Sequence, residues 1–239
     1  MDLTCEERGS DSPLIERIWR SQNPAPGAFI SIANGHLSMV VSKIHGKSFV
    51  TVRGPETFAT PAYQPDDAEF FGIEFKPGAF LSKFPAAQIM DRCDANLPHA
   101  SGQAFWLNGS AWQFPTYENA DTFVDWLLRD HLLVHDPLVE AVLQGQRPGE
   151  MSIRTVQRRF LQATGMTYNT TRSIERARHA TRLLKEGVSI FDTVEQTGYA
   201  DQPHLTRALK HFIGQTPAQI TNRNRQERLS FLFKTLVPV

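Results

Sequence analysis

At 239 residues and 41% apolar composition, the chain is long and apolar enough for two domains with buried cores. No apolar run approaches the roughly 18 residues that a transmembrane helix needs. Formal charge sums to zero, yet residues 1–149 hold 11 Lys+Arg against 18 Asp+Glu and residues 150–239 hold 14 against 7. A basic C-terminal half suits a phosphate backbone and an acidic N-terminal half would be repelled by one, although a chance skew of solvated charge gives the same count.

The acidic, polar start MDLTCEERGSD does not read as a signal peptide, so a cytoplasmic location is expected. Cys5 and Cys93 are the only cysteines; without CxxC or Cys/His spacing they read as plain thiols. Leu14, Ile15, Ile18 and Trp19 predict a first buried element. Short β-rich runs follow at 28–32, 37–44, 48–52, 56–59 and 70–75, with turn signals at Asn34-Gly35, His45-Gly46, Gly54-Pro55 and Pro77-Gly78. Regular short strands with tight turns predict a β-sandwich or barrel over residues 1–118. Phe105, Trp106, Trp112 and Phe114 gather around Asn108-Gly109, where they either line an apolar effector pocket, with Trp106, Trp112 and Phe114 as candidates, or fill the core.

From Asn119, a capping residue, the pattern turns helical through Phe123, Trp126, Leu127, Leu132 and Leu133, and a further helix follows Asp136. Residues 119–147 therefore connect a β-rich half to a helical half, and no Gly/Ser-rich linker intervenes. Pro148-Gly149 breaks any helix running on from Asp136 to Gln146.

The helical half, residues 148–239, contains one element twice. SIRTVQRRFLQATGMT from Ser152 aligns without a gap with DQPHLTRALKHFIGQT from Asp201. Ser152 and Asp201 fall at the cap, Phe160 and Leu209 in the core, Arg158 and Arg207 outside, and Gly165 and Gly214 at the stop. In the first copy Ile153, Val156, Phe160 and Ala163 make a buried stripe, and Arg154, Gln157, Arg158 and Leu161 an outer one. In the second, Leu205, Ala208, Leu209 and Phe212 face inward; Gln202, Thr206, Arg207 and Lys210 face out. Arg and Gln carry paired groups that match guanine and adenine edges in a major groove. A helix from Arg172 to Glu186, capped by Thr171, joins the copies, and Ile190, Phe191 and Val194 mark a short helix that meets the second copy across Gly198 in helix-turn-helix order.

RTVQRRF, IERARHATRLL and GYADQPHLTRALKHFIGQTPAQI, in this order from residue 151 to about 220, resemble the C-terminal DNA-binding domain of the AraC family of bacterial transcription regulators. The resemblance implies an α+β protein in which two helix-turn-helix units on one long helix read successive major grooves of double-stranded DNA. It implies base contacts from Arg154, Gln157 and Arg158 in the first unit and Gln202 and Arg207 in the second, with His204, Thr206 and Lys210 beside them. RGPETFATPAY followed by FFGIEFKPGAF resembles, more weakly, the cupin-like sensor domain joined to many of these regulators. The resemblance further implies contact with RNA polymerase and is compatible with activator-type regulation, a small-molecule effector and a homodimer. One departure is that the family has a full supporting helix and turn before the first recognition helix, whereas here AVLQGQRPGEM runs almost directly into Ser152.

No cofactor and no enzymatic activity are expected. His36 and His45 are too far apart for the HxH pair of a metal-binding cupin, and His131 and His135, at i and i+4, lack a third ligand. No P-loop and no GxSxG occur. The competing reading is a β-domain small-molecule-binding protein or enzyme whose helical half no longer reads DNA.

Overall fold

The computed structural model describes residues 4–23, 26–91, 94–100, 102–146, 149 and 151–222; Cys93, Pro148 and the side chain of Cys5 fall outside them. The fold is α+β, and its described part forms two compact units that are interleaved along the chain. The first takes residues up to 26, 35–55 and 65–168; the second takes 27–34, 56–64 and the chain from 169 onward.

The first unit is built on a six-stranded antiparallel sheet. Its order is β1 (Thr4–Arg8), β2 (Ile15–Asn23), β7 (Ala68–Phe75), β4 (Ser38–Ile44), β5 (Lys47–Arg53), β9 (Ala95–Asn96). The sheet keeps two edges, so the barrel half of the expectation is not formed. The predicted first buried element is β2: Leu14, Ile15, Ile18 and Trp19 are all buried, and a register shift between Ile15 and Arg17 lets Ile15 and Ile18, three residues apart, enter the same core. That core is covered by α1 (Ala120–Arg129) through Phe123, Val124 and Leu127. Two-residue turns at His45-Gly46 and Asn108-Gly109, each with both residues at positive φ, close the β4–β5 hairpin and the ribbon of β10 (Ala104–Leu107) with β11 (Ser110–Gln113). A second ribbon pairs β8 (Ala79–Leu81) with β12 (Leu133–His135). α2 (Pro137–Leu143) and α3 (Ile153–Thr164) complete the unit.

The second unit combines a ribbon of β3 (Gly27–Ser31) and β6 (Thr60–Gln64) with α4 (Tyr168–Lys185), α5 (Ile190–Thr197), α6 (Gln202–Phe212) and α7 (Pro217–Thr221). Ile32 packs among Ala177, Ala180, Leu184, Leu205, Leu209 and Ile213. The amides of Ala33 and Ala59 donate to the carbonyls of Phe212 and His211, each at 2.8 Å, which satisfies two of the orphan acceptors at the C-terminal end of α6. Arg178 on α4 donates to Asn34 at 3.2 Å.

These contacts explain where the strand expectations shift. Residues 56–59 form no strand; Ala59 gives its amide to α6, and β6 starts only at Thr60. Asn34-Gly35 and Gly54-Pro55, which carry turn signals, lie where the chain passes from one unit to the other. α4 begins at Tyr168, so Thr171 lies inside the helix and is buried instead of capping it.

Candidate nucleic-acid interface

The repeated element folds as two helices with the same end chemistry. Ser152 Oγ accepts from the Thr155 amide at 3.2 Å, and Asp201 Oδ1 accepts from the His204 amide at 2.7 Å, so each cap serves the third residue of its helix. Gly165 and Gly214 both take left-handed φ values, 75° and 81°, at the stop. Phe160 and Leu209 are both buried.

On α3, Arg154, Gln157, Arg158 and Leu161 are all exposed, as the outer stripe requires. The inner stripe is shorter than expected. Phe160 and Ala163 are buried and Val156 half-buried, but Ile153, in the first turn, is 78% exposed because the packing against α2 comes from the C-terminal half of the helix. Val139 is the α2 residue at the centre of that contact, with Val142 and Leu143 beside it and Phe80 from β8. Arg159 turns away from the outer stripe and grips Asp136, Nη2 to Oδ1 at 2.6 Å and Nε to Oδ2 at 3.0 Å. That hydrogen bond raises the guanidinium pKa above its ordinary value. α3 also rests on the 3-10 turn Ala86–Gln88, where a Cβ on Gly165 would stand 3.0 Å from the Ala86 carbonyl carbon. The shortened first unit is thus supported by α2 and by the β-rich region; Asp136, Arg159 and Ala86 carry no signal in local spacing that reveals it.

On α6, Gln202, Arg207 and Lys210 are exposed, and His204 and Thr206 are half-exposed. Among the described residues, Arg154, Gln157, Arg158, Gln202, Arg207 and Lys210 have no side-chain hydrogen bond or ion pair. His204 differs: its ring stands edge-on to Tyr199 at 5.0 Å, and its Nδ1 accepts from the Ala200 amide at 3.5 Å. It holds the α5–α6 turn. Arg176 lies over the other aromatic partner in this turn, 4.5 Å from the Tyr199 centroid, and burial pushes the Tyr199 hydroxyl above its usual pKa. On α5 the inward residues are Thr193 and Thr197, with Ile190 and Val194 half-buried, while Phe191, placed in the apolar pattern by spacing, is 77% exposed.

The aromatic candidates of the β-rich region separate. Trp106 is 46% exposed, and Trp112 stands edge-on to Phe123 at 5.8 Å against the core. Phe114 packs on Phe105 at 5.6 Å and also borders a surface cleft. His131 follows the end of α1 with φ of 55°, and His135 lies in β12 opposite Ala79, so the i and i+4 spacing of these histidines is not helical. No group of three metal-ligating side chains occurs among the described residues, and none of their helices is long and apolar enough to cross a membrane.

A short helix, a glycine turn and a second helix with a free Arg/Gln face define a helix-turn-helix module. Residues 150–223 match the family model described as a helix-turn-helix domain, and the C-terminal region is such a domain of the AraC type. The chain is 37% identical over 71 residues to the HTH-type transcriptional regulator RipA of Corynebacterium glutamicum, which is 30% of this chain and 22% of the relative. The protein of the same name from Corynebacterium diphtheriae is 35% identical over 72 residues, with the same coverage. The similarity thus spans about a fifth of the length of these curated relatives. No solved structure matches the chain.

Proposed function

We propose that the protein is a sequence-specific DNA-binding transcription regulator, in which α3 and α6 each present a base-reading face and lie in successive major grooves about 34 Å apart. The observation that carries this reading is the pair of exposed faces, Arg154, Gln157 and Arg158 on α3 and Gln202, Arg207 and Lys210 on α6, each mounted on the same cap-to-stop frame. Free guanidinium and amide groups at the start and middle of a short helix suit bidentate contact with guanine and adenine. Lys210, nearer the C-terminus, suits a phosphate. In the same reading residues 1–118 respond to an effector, residues 119–147 connect the parts, and the family's further partners are RNA polymerase and a second copy of the chain. No enzymatic step is assigned.

Binding-site selection on random duplexes with the purified full chain tests the proposal. Enrichment of a bipartite motif is the expected result. A chain that binds all duplexes alike, or none, would instead fit a β-domain protein whose helical half has lost base reading.

A further inference from the structure

The first unit carries a cleft of about 560 Å³ on its sheet, a size within the range of small-molecule sites. Strand register explains its character. One cross-strand row runs Glu6, Arg20, Phe71, Val41, and the next row on the same face runs Gln22, Glu69, Lys43, Ser48. The first row is charged at one end and apolar at the other, and the second is polar throughout. The segment Phe114–Glu118 forms the opposing wall. Tyr117 stands edge-on to Phe71 at 6.4 Å, with the Arg20 guanidinium 4.5 Å from its ring centroid.

The charges here already have partners. Arg20 pairs with Glu6 at 2.6 Å and with Glu118 at 3.2 Å, and Lys43 pairs with Glu69 at 3.3 Å. An ionic ligand would have to break one of these pairs for each pair it made. Three carboxylates against two cations further disfavour an anion. What stays available is the apolar surface of Val41 and Phe114, with the buried Phe71 beneath, beside the neutral hydrogen-bonding groups of Gln22, Ser48 and Gln103.

We propose that this cleft binds a small, uncharged, flat aromatic molecule that carries hydrogen-bonding groups along one edge. The proposal rests on the reading of the β-rich region as effector-responsive and gives that reading a place and a ligand class. N-phenyl-1-naphthylamine, a neutral diarylamine that joins a naphthalene to a phenyl ring, is the probe, and 1-anilinonaphthalene-8-sulfonate has the same rings with an added negative charge. Titrated into the full chain without DNA, the neutral probe should bind saturably and the sulfonate at least tenfold more weakly. Val41→Trp, which fills the apolar strip, and Gln22→Trp, at an exposed rim position, should each weaken the neutral probe at least tenfold. Where Val41→Trp fails to fold, Gln22→Trp decides, provided that its circular dichroism matches the parent. Absence of saturable binding to the parent, parental affinity in Gln22→Trp, or equal affinity for the two probes would overturn the proposal. DNA is absent from this titration, so its failure leaves the regulator reading standing or falling on operator selection by the full chain.

Discussion

Asp136 and Arg159 join the start of α2 to the middle of α3 by two hydrogen bonds, and the same Asp136 carboxylate accepts from the Leu138 amide at 3.1 Å to cap α2. One side chain thus both caps α2 and holds α3 against it. Asp136→Ala should lose about 0.5–2 kcal/mol from the cap alone. Arg159→Ala should cost less, and the double variant less than the sum of the two, because the carboxylate and guanidinium act as a unit. Urea unfolding of the four proteins checks this, and simple additivity would show that the pair contributes nothing in solution.

Arg207→Ala should lose about 1–3 kcal/mol of discrimination between the preferred site and its variants. Lys210→Ala should instead weaken all sequences alike and reduce the salt slope by about one. Anisotropy titrations over a salt series separate the two effects. Identical specificity profiles in parent and Arg207→Ala would move the reading face elsewhere.

Gly165 and Gly214 offer a test of the shared stop. Alanine in a left-handed conformation costs roughly 1–2 kcal/mol anywhere. At Gly214 its Cβ would additionally fall 2.8 Å from Ile30 Cγ2, and at Gly165 3.0 Å from backbone of Ala86, whereas at Gly187, with φ of 91°, it would meet open space. Both Gly214→Ala and Gly165→Ala should therefore destabilise more than Gly187→Ala. Equal midpoints for all three would mean that the ribbon and the 3-10 turn yield without cost.

The shortened approach to Ser152 suggests by sequence alone that the second helix carries most of the base reading. The packing of α3 on α2, β8 and Ala86–Gln88 removes the premise. Arg154→Ala, Gln157→Ala and Arg158→Ala combined should then erase as much motif information as Gln202→Ala with Arg207→Ala. Parallel selections at matched salt give the comparison, and a nearly intact motif in the triple variant would return the first unit to a phosphate-binding role.

Charge alone suggests that residues from 136 onward suffice for DNA binding. The fold adds a requirement, because such a fragment lacks Ile32 from the second unit's core and the Ala33 and Ala59 amides at the end of α6. It should bind DNA more weakly than the full chain and show a broadened thermal transition. Within the full chain, Ile32→Ala should cost about 2–5 kcal/mol, the usual range for deleting a buried isoleucine side chain. A fragment with full affinity would show that the ribbon is dispensable.

Several parts of this architecture are legible in the sequence for identifiable reasons. The caps at Ser152 and Asp201, the stops at Gly165 and Gly214 and the outward Arg207 follow from short-range chemistry, which repeats wherever the same residues stand at the same spacing. The β-rich run at 37–44 and the turn signal at His45-Gly46 are of the same local kind. Spacing misplaces Ile153 and Phe191 because periodicity assigns an apolar residue to a stripe without knowing how far the partner surface reaches. Residues 56–59 and the Asp136 to Arg159 link depend on partners distant in sequence, which no window of spacing contains. Phe114 shares its aromatic signal with Trp106 and Trp112, and only the tertiary arrangement distinguishes a cleft wall from a core filler.

The bonds from Ala33 to Phe212 and from Ala59 to His211 also impose an order of events during synthesis. The ribbon leaves the ribosome well before the helix end that it serves. Until α6 emerges, Ile32 can meet only the α4 part of its core, Ala177, Ala180 and Leu184, and closing a chain segment of that length carries an entropic cost. α6 therefore gains this support only once the chain from Ile32 through Phe212 has been made, and a product cut short before His211 leaves the Ala33 and Ala59 amides without these acceptors.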